Sequence, residues 1–186
     1  MIVVHEIYGI NQHMKDVCAT LSQWGFNVIC PNLLEKETPF DYSSEEDAYQ
    51  HFMKHIGLLN GANTIKSVLR EVKDRYKEIF IVGFSVGATV AWVCSEEEGI
   101  NGVVCYYGSR IRNHLEIEPI CPTMLFFPET EKSFDVDELI ASIEKTNPNI
   151  HKLKGKHGFT DPYNSNYHIQ STQETFHMTM NFLLQH

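Results

Sequence analysis

The stretch "GFSVGA" at residues 83–88 places a serine between two glycines directly after the apolar run "EIFIV". A serine hydroxyl is a weak nucleophile; it needs an exposed position, a base within hydrogen-bond reach and donors for a developing oxyanion. A sharp strand-to-helix turn supplies the first and third. Gly83 and Gly87 relieve crowding where the chain doubles back, Ser85 projects from the apex, and the free N–H of Val86 opens the helix. As a bare pattern G-x-S-x-G is short enough to arise by chance. Its position between a run of Ile, Phe and Val and an Ala-containing helix is the context that nucleophile chemistry requires. The plain alternative is a glycine turn that lets helix pack on strand.

A base and an acid must then follow Ser85 in the chain, in the order acid, histidine. His157 in "KGKHGFTDP" is selected from ten histidines by position, just after the last apolar strand and in a glycine-flanked loop before the closing helix. His51 and His55 are four apart and could face a metal, but no third ligand is apparent, so they read as a solvated helix face. His168 and His177 fall within the closing helix as surface or packing residues, and His5 within a strand as a buried, hydrogen-bonded histidine. The loop "PETEKSFD" offers Glu129, Glu131 and Asp135 as the acid. Glu131 is the choice, because Asp135 can equally cap the next helix.

Apolar runs alternating with amphipathic stretches must position these groups. Strands are predicted at 2–7, 26–32, 78–84, 102–108, 123–128 and 149–155. Helices are predicted at 11–25, 45–76 (capped by Ser43 or Ser44 and broken by Gly57 and Gly61), 87–97, 135–145 and 165–186. Continuously apolar strands, each followed by a helix, specify an α/β fold, a mostly parallel sheet of about six strands with helices on both faces. Such sheets carry their sites at the carboxyl ends of the strands, where every candidate above falls.

At 186 residues the chain reads as one domain, residues 1–186, large enough to bury a core without disulfides or metal. Five scattered cysteines without a C-x-x-C pair fit a reducing compartment, hence a cytoplasmic protein. The amino end lacks a basic leader, and no apolar run is long enough to span a bilayer. A formal charge of -9 argues against nucleic acid and anionic membranes as partners.

"VVHEIYGINQHMKDVCATLSQWGFNVICPNL", "IVGFSVGATVAW", "VVCYYG", "PTMLFF" and "KHGFTDP" occur in an order and spacing that closely resemble the dienelactone hydrolases over nearly the whole chain. The resemblance implies an α/β-hydrolase fold with Ser85 as nucleophile, His157 as base and Glu131 in place of the family's aspartate. It further implies Ile7 N–H beside Val86 N–H in an oxyanion hole, and Glu6 as the strand-end glutamate near the nucleophile. The best-known members use cysteine where Ser85 stands, and there the glutamate helps to control thiol ionisation. A serine needs no such control, which leaves Glu6 to bind a water or the substrate. The founding enzymes hold a substrate carboxylate with two arginines; the matching positions here are Glu45 and Asp161, so a neutral ester or lactone is the expected substrate. Relatives also carry leading strands before the one holding Glu6, and their lack here would favour pairing of a sheet edge in a homodimer. No metal or organic cofactor is called for. Aromatic groups (Phe40, Tyr42, Tyr106, Tyr107, Tyr163, Tyr167) are expected near the mouth, with Tyr42 and Tyr107 as substrate contacts. The rival from another class is a binding or regulatory protein on an inactivated hydrolase fold.

Overall fold

The computed structural model describes residues 1–143 and 148–186, so the last two residues of the predicted helix 135–145 lie outside the described residues. Five parallel strands form one sheet in the order β1 (Ile2–Val4), β2 (Phe80–Phe84), β3 (Gly102–Tyr106), β4 (Thr123–Pro128) and β5 (Asn149–Leu153). Val3 is aligned with Val82, Val82 with Val104, Val104 with Met124 and Met124 with Asn149, which brings the carboxyl ends of the strands to one rim.

Side chains alternate across this sheet with the period of two that extended backbone imposes. Val4, Ile81, Val103, Leu125 and Phe127 face one layer, formed by α2 (Glu45–His51), α3 (Leu58–Val72), α4 (Val86–Cys94) and α5 (Val136–Ile143). Val3, Val82, Val104, Met124 and Phe126 face the other, where α1 (Gln12–Gln23) and α6 (Ile169–Gln185) pack. Both faces are therefore apolar, as the continuous runs predict. Helix α4 is buried along its whole length.

Among the described residues the sheet has five strands, one fewer than about six. Residues 26–32 contribute only an isolated bridge between Ile2 and Ile29, through Val3 N–H to Ile29 O (2.8 Å) and Ile29 N–H to Met1 O (3.0 Å). Their side chains are half-buried or exposed, and Pro31 has no N–H to extend a ladder. The long helical stretch also divides differently. Gly57 (φ 73°) ends a π-helical turn at Phe52–Ile56, whereas Gly61 lies inside α3, where a Cβ would sit 3.2 Å from Val90 Cγ2 of α4. Ser44 stands at the N-cap of α2 but makes no side-chain bond there; Asp41 caps the short 3-10 turn before it, Tyr42–Ser44, accepting from Ser43 N–H at 2.9 Å. His168 precedes α6 as its cap instead of lying within it; Nδ1 accepts the Ser171 N–H at 3.3 Å. Among the described residues no helix is long and apolar enough to cross a membrane.

Candidate active site

Strand β2 ends at Phe84 and α4 begins at Val86, so a single residue makes the turn. That residue, Ser85, has φ 54° and ψ −116°, a conformation that L side chains rarely adopt. Both flanking glycines are required by contact. A Cβ on Gly83 would lie 2.2 Å from Gly87 O, and one on Gly87 would lie 2.2 Å from Val4 O. The turn is tied to the neighbouring strand by Ser85 N–H donating to Tyr106 O at 2.9 Å. The local sequence thus accounts for the strained apex and the surrounding sheet holds it.

His157 arrives from the loop after β5. Its Nε2 lies 2.8 Å from Ser85 Oγ, and its Nδ1 lies 2.7 Å from Glu131 Oε1, from the loop after β4. Asn166 Nδ2 donates to His157 O at 2.9 Å, and the Tyr107 ring meets the imidazole edge-on with centroids 5.1 Å apart. About a third of the imidazole side chain, 35%, remains open, while Glu131 is 7% exposed. Burial lowers the imidazole's pKa, but the hydrogen bond and charge of Glu131, with Glu6 and Glu45 farther off, outweigh it and raise the pKa above the ordinary value. Of the other acids considered, Asp135 accepts from Asp137 N–H (2.8 Å) and Glu138 N–H (3.1 Å) and caps α5, and Glu129 makes no bond to the imidazole.

Ser85 opens on a cavity of about 470 Å³ lined also by Glu6, Ile7, Val86, Glu131 and His157. The two proposed oxyanion donors, Val86 and Ile7, therefore border the same space as the hydroxyl. The cavity's lining includes the acids Glu6, Glu45 and Glu131 and the bases Arg110, Lys132, Lys156 and His157. Arg110 is held by Tyr49, through a hydrogen bond to its hydroxyl and with the guanidinium 5.6 Å from the ring centre. Burial raises the Glu6 pKa, and the charge of Asp161 adds to this while His13 and His157 oppose it.

Two predicted substrate contacts are not brought to this cavity. Tyr42 turns its hydroxyl to Asp161 Oδ2 at 2.5 Å, and Tyr107 is fully buried behind His157 with its hydroxyl 2.9 Å from Thr160 Oγ1. The tyrosines at the cavity are Tyr8 and Tyr49. Asp161 is also enclosed, at 0% exposure, and does not line the cavity, so of the two arginine replacements only Glu45 faces the cavity. Tyr8, Tyr49 and Arg110 carried no local signal. Their side chains reach the cavity from three separate segments, which only the packing of those segments reveals.

A family model described as "Dienelactone hydrolase family" matches residues 1–186. The "Uncharacterized protein YczH" of Bacillus subtilis is 44% identical over 165 residues, covering 87% of this chain and 81% of its own. A "Carboxymethylenebutenolidase" of Pseudomonas sp. is 23% identical, covering 98% of this chain and 83% of its own. Among solved structures, a "Putative Dienelactone Hydrolase" from Klebsiella pneumoniae superposes with a TM-score of 0.81 at 18% identity, covering 100% of this chain and 86% of the other.

Proposed function

Because this chain belongs to the dienelactone hydrolase family, whose model matches all of it, we propose that it is a serine hydrolase that cleaves a small, uncharged ester or lactone. The continuous relay Ser85–His157–Glu131, at 2.8 and 2.7 Å, carries this reading. In it, neutral His157 accepts the Ser85 proton through Nε2 as Oγ attacks the carbonyl carbon. Glu131 accepts the Nδ1 proton in a hydrogen bond and stabilises the imidazolium that forms. The N–H groups of Val86 and Ile7 hold the oxyanion, where each donor contributes roughly 10²–10³ in kcat. The alcohol leaves with the proton from His157, and a water activated by the same imidazole then releases the acid from the acyl-enzyme.

The substrate class follows from the cavity's charge. Glu45 lines the cavity at the position where the founding enzymes carry an arginine, so a substrate carboxylate would lose a cation there and meet a like charge. A fluorophosphonate probe tests the nucleophile: labelling that is lost in Ser85→Ala and retained in other serine variants is expected. Equal labelling of wild type and Ser85→Ala, or none of either, would return the chain to the rival reading, a binding protein. A panel of neutral short-chain esters and lactones, each paired with a carboxylated analogue, tests the substrate class. A tenfold preference in kcat/KM for the anion would overturn it. We place the protein in the cytoplasm on its five free thiols. Alkylation of the denatured protein, isolated from cells without reductant, should modify all five, and a disulfide would contradict this.

A further inference from the structure

Beneath the cavity lies a second constellation that the serine chemistry does not use. Glu6 follows β1, His13 sits in the first turn of α1, and Asp161 comes from the loop beyond β5. One ligand atom from each lies within 4.8 Å of the other two. The three residues are 3%, 2% and 0% exposed. His13 Nδ1 is buried without a hydrogen-bond partner and stands 3.7 Å from Asp161 Oδ2. The ring cannot readily swing away, because Phe84 packs against it edge-on with centroids 5.4 Å apart.

An orphaned ring nitrogen and two adjoining buried carboxylates share one deficit, which is positive charge. A metal ion would supply it to all three at once. The Asp161 carboxylate is already oriented, as ligating carboxylates usually are, by outer hydrogen bonds. Asp161 accepts from Tyr42 OH at 2.5 Å and from Tyr163 N–H at 2.9 Å. Tyr42 OH in turn accepts from Asn11 Nδ2 at 2.9 Å, and Asn11 is the residue that caps α1. The cap that starts the helix bearing His13 therefore also anchors the Asp161 carboxylate.

We propose that Glu6, His13 and Asp161 bind one divalent transition-metal ion, zinc being the best match to one imidazole and two carboxylates. Zinc takes such donors at about 2.0–2.2 Å. Donor atoms within 4.8 Å of one another would have to draw together on such an ion. His13 ligates through Nδ1 with its proton on Nε2, and a fourth position remains for water. Glu6 also borders the cavity, so the ion would sit beside its floor. The site stands on its own geometry and does not depend on Ser85 being a nucleophile.

The test uses the full chain, stripped with a chelator, exchanged into buffer and titrated separately with Zn²⁺ and Co²⁺. Retention of about one ion per chain after desalting, measured by elemental analysis, is expected. Visible Co²⁺ absorption and a raised melting temperature should accompany it. His13→Gln and Asp161→Asn should each weaken binding tenfold or more, with circular dichroism reporting whether each variant is folded. His51, half-buried, and His55, exposed, with ring centroids 4.9 Å apart, supply the control; replacing both by alanine should leave the tight ion in place. Retention that is absent in the wild type, or equal in the wild type and a folded His13→Gln or Asp161→Asn variant, would overturn the site.

Discussion

His157 and His13 each stand beside carboxylates at the same rim of the sheet, yet they are equipped for opposite tasks. His157 has a partner on each ring nitrogen and an open face. It can gain and lose a proton while something approaches from the cavity. His13 is enclosed and has one nitrogen with no partner, close to two buried carboxylates, of which Asp161 is held by Tyr42 and Tyr163. A third histidine completes the contrast. His5 is fully buried, its Nδ1 donating to Glu6 O at 2.6 Å and its Nε2 accepting Leu33 N–H at 2.9 Å, so both nitrogens are consumed by backbone. Burial alone therefore assigns no role to a histidine. What matters is which nitrogen is paired, with what, and whether one face is left free.

The largest effect is expected at Glu131. In Glu131→Gln the imidazolium loses its hydrogen-bonded anion, and kcat/KM for the best neutral ester should fall roughly 10²–10⁴-fold. The sign of the accompanying pH effect is definite. Glu131 raises the His157 pKa, so wild-type activity should climb through a midpoint above the ordinary histidine value of about 6.5, and the variant's midpoint should lie lower. An unmoved midpoint in the pH–rate profile would remove His157 from the role of base.

His5 provides the next effect, on stability instead of activity. Burial, only partly opposed by its bond to the Glu6 carbonyl, lowers its pKa to about 4. As pH falls below about 6.5 the unfolded chain takes up this proton and the folded chain does not. Stability should accordingly drop between pH 6.5 and 4, by about 3 kcal/mol at 1.36 kcal/mol per unit, and level off below. Urea unfolding across that range reads the loss, and His5→Asn should flatten it. An equal slope in that variant would assign the acid sensitivity elsewhere.

The smallest effect sharpens the contrast at the cavity. Removing the charge of Glu45, as Glu45→Gln, should lower the His157 midpoint slightly. It should also raise relative kcat/KM for a carboxylated ester about two- to fivefold, the scale of a screened surface charge. A change of the same size for the neutral ester would mean that Glu45 affects catalysis instead of selectivity.

Much of the fold was legible because both faces of the sheet are covered, which makes strands 80–84, 102–106 and 123–128 continuously apolar. The segment 26–32 carried the same composition but pairs through one bridge, since strand propensity does not say whether a neighbour extends far enough to be paired. Gly61 looked like a helix breaker and instead allows two helices to approach, a role visible only from the partner's Val90. At the site, Glu131 and His157 were chosen by their place after strands β4 and β5, and the structure puts them in contact. Tyr42 and Tyr107 were chosen by proximity to loops. Side-chain direction took one to Asp161 and the other behind the imidazole.

Local sequence marked the turn at Ser85 by two glycines set between an apolar run and a helix. Gly83, whose missing Cβ would meet Gly87 O at 2.2 Å, answers a crowding within the turn itself, whereas Gly87 is required by Val4 O of β1, a contact that only the packed sheet makes. Only the tertiary structure could bring His157 to Ser85 across 72 residues, Glu131 to His157 across 26, and His13 to Asp161 from opposite ends of the chain. Such meetings depend on strand register and loop path, which are properties of the packed sheet and have no counterpart in the spacing of residues along the chain.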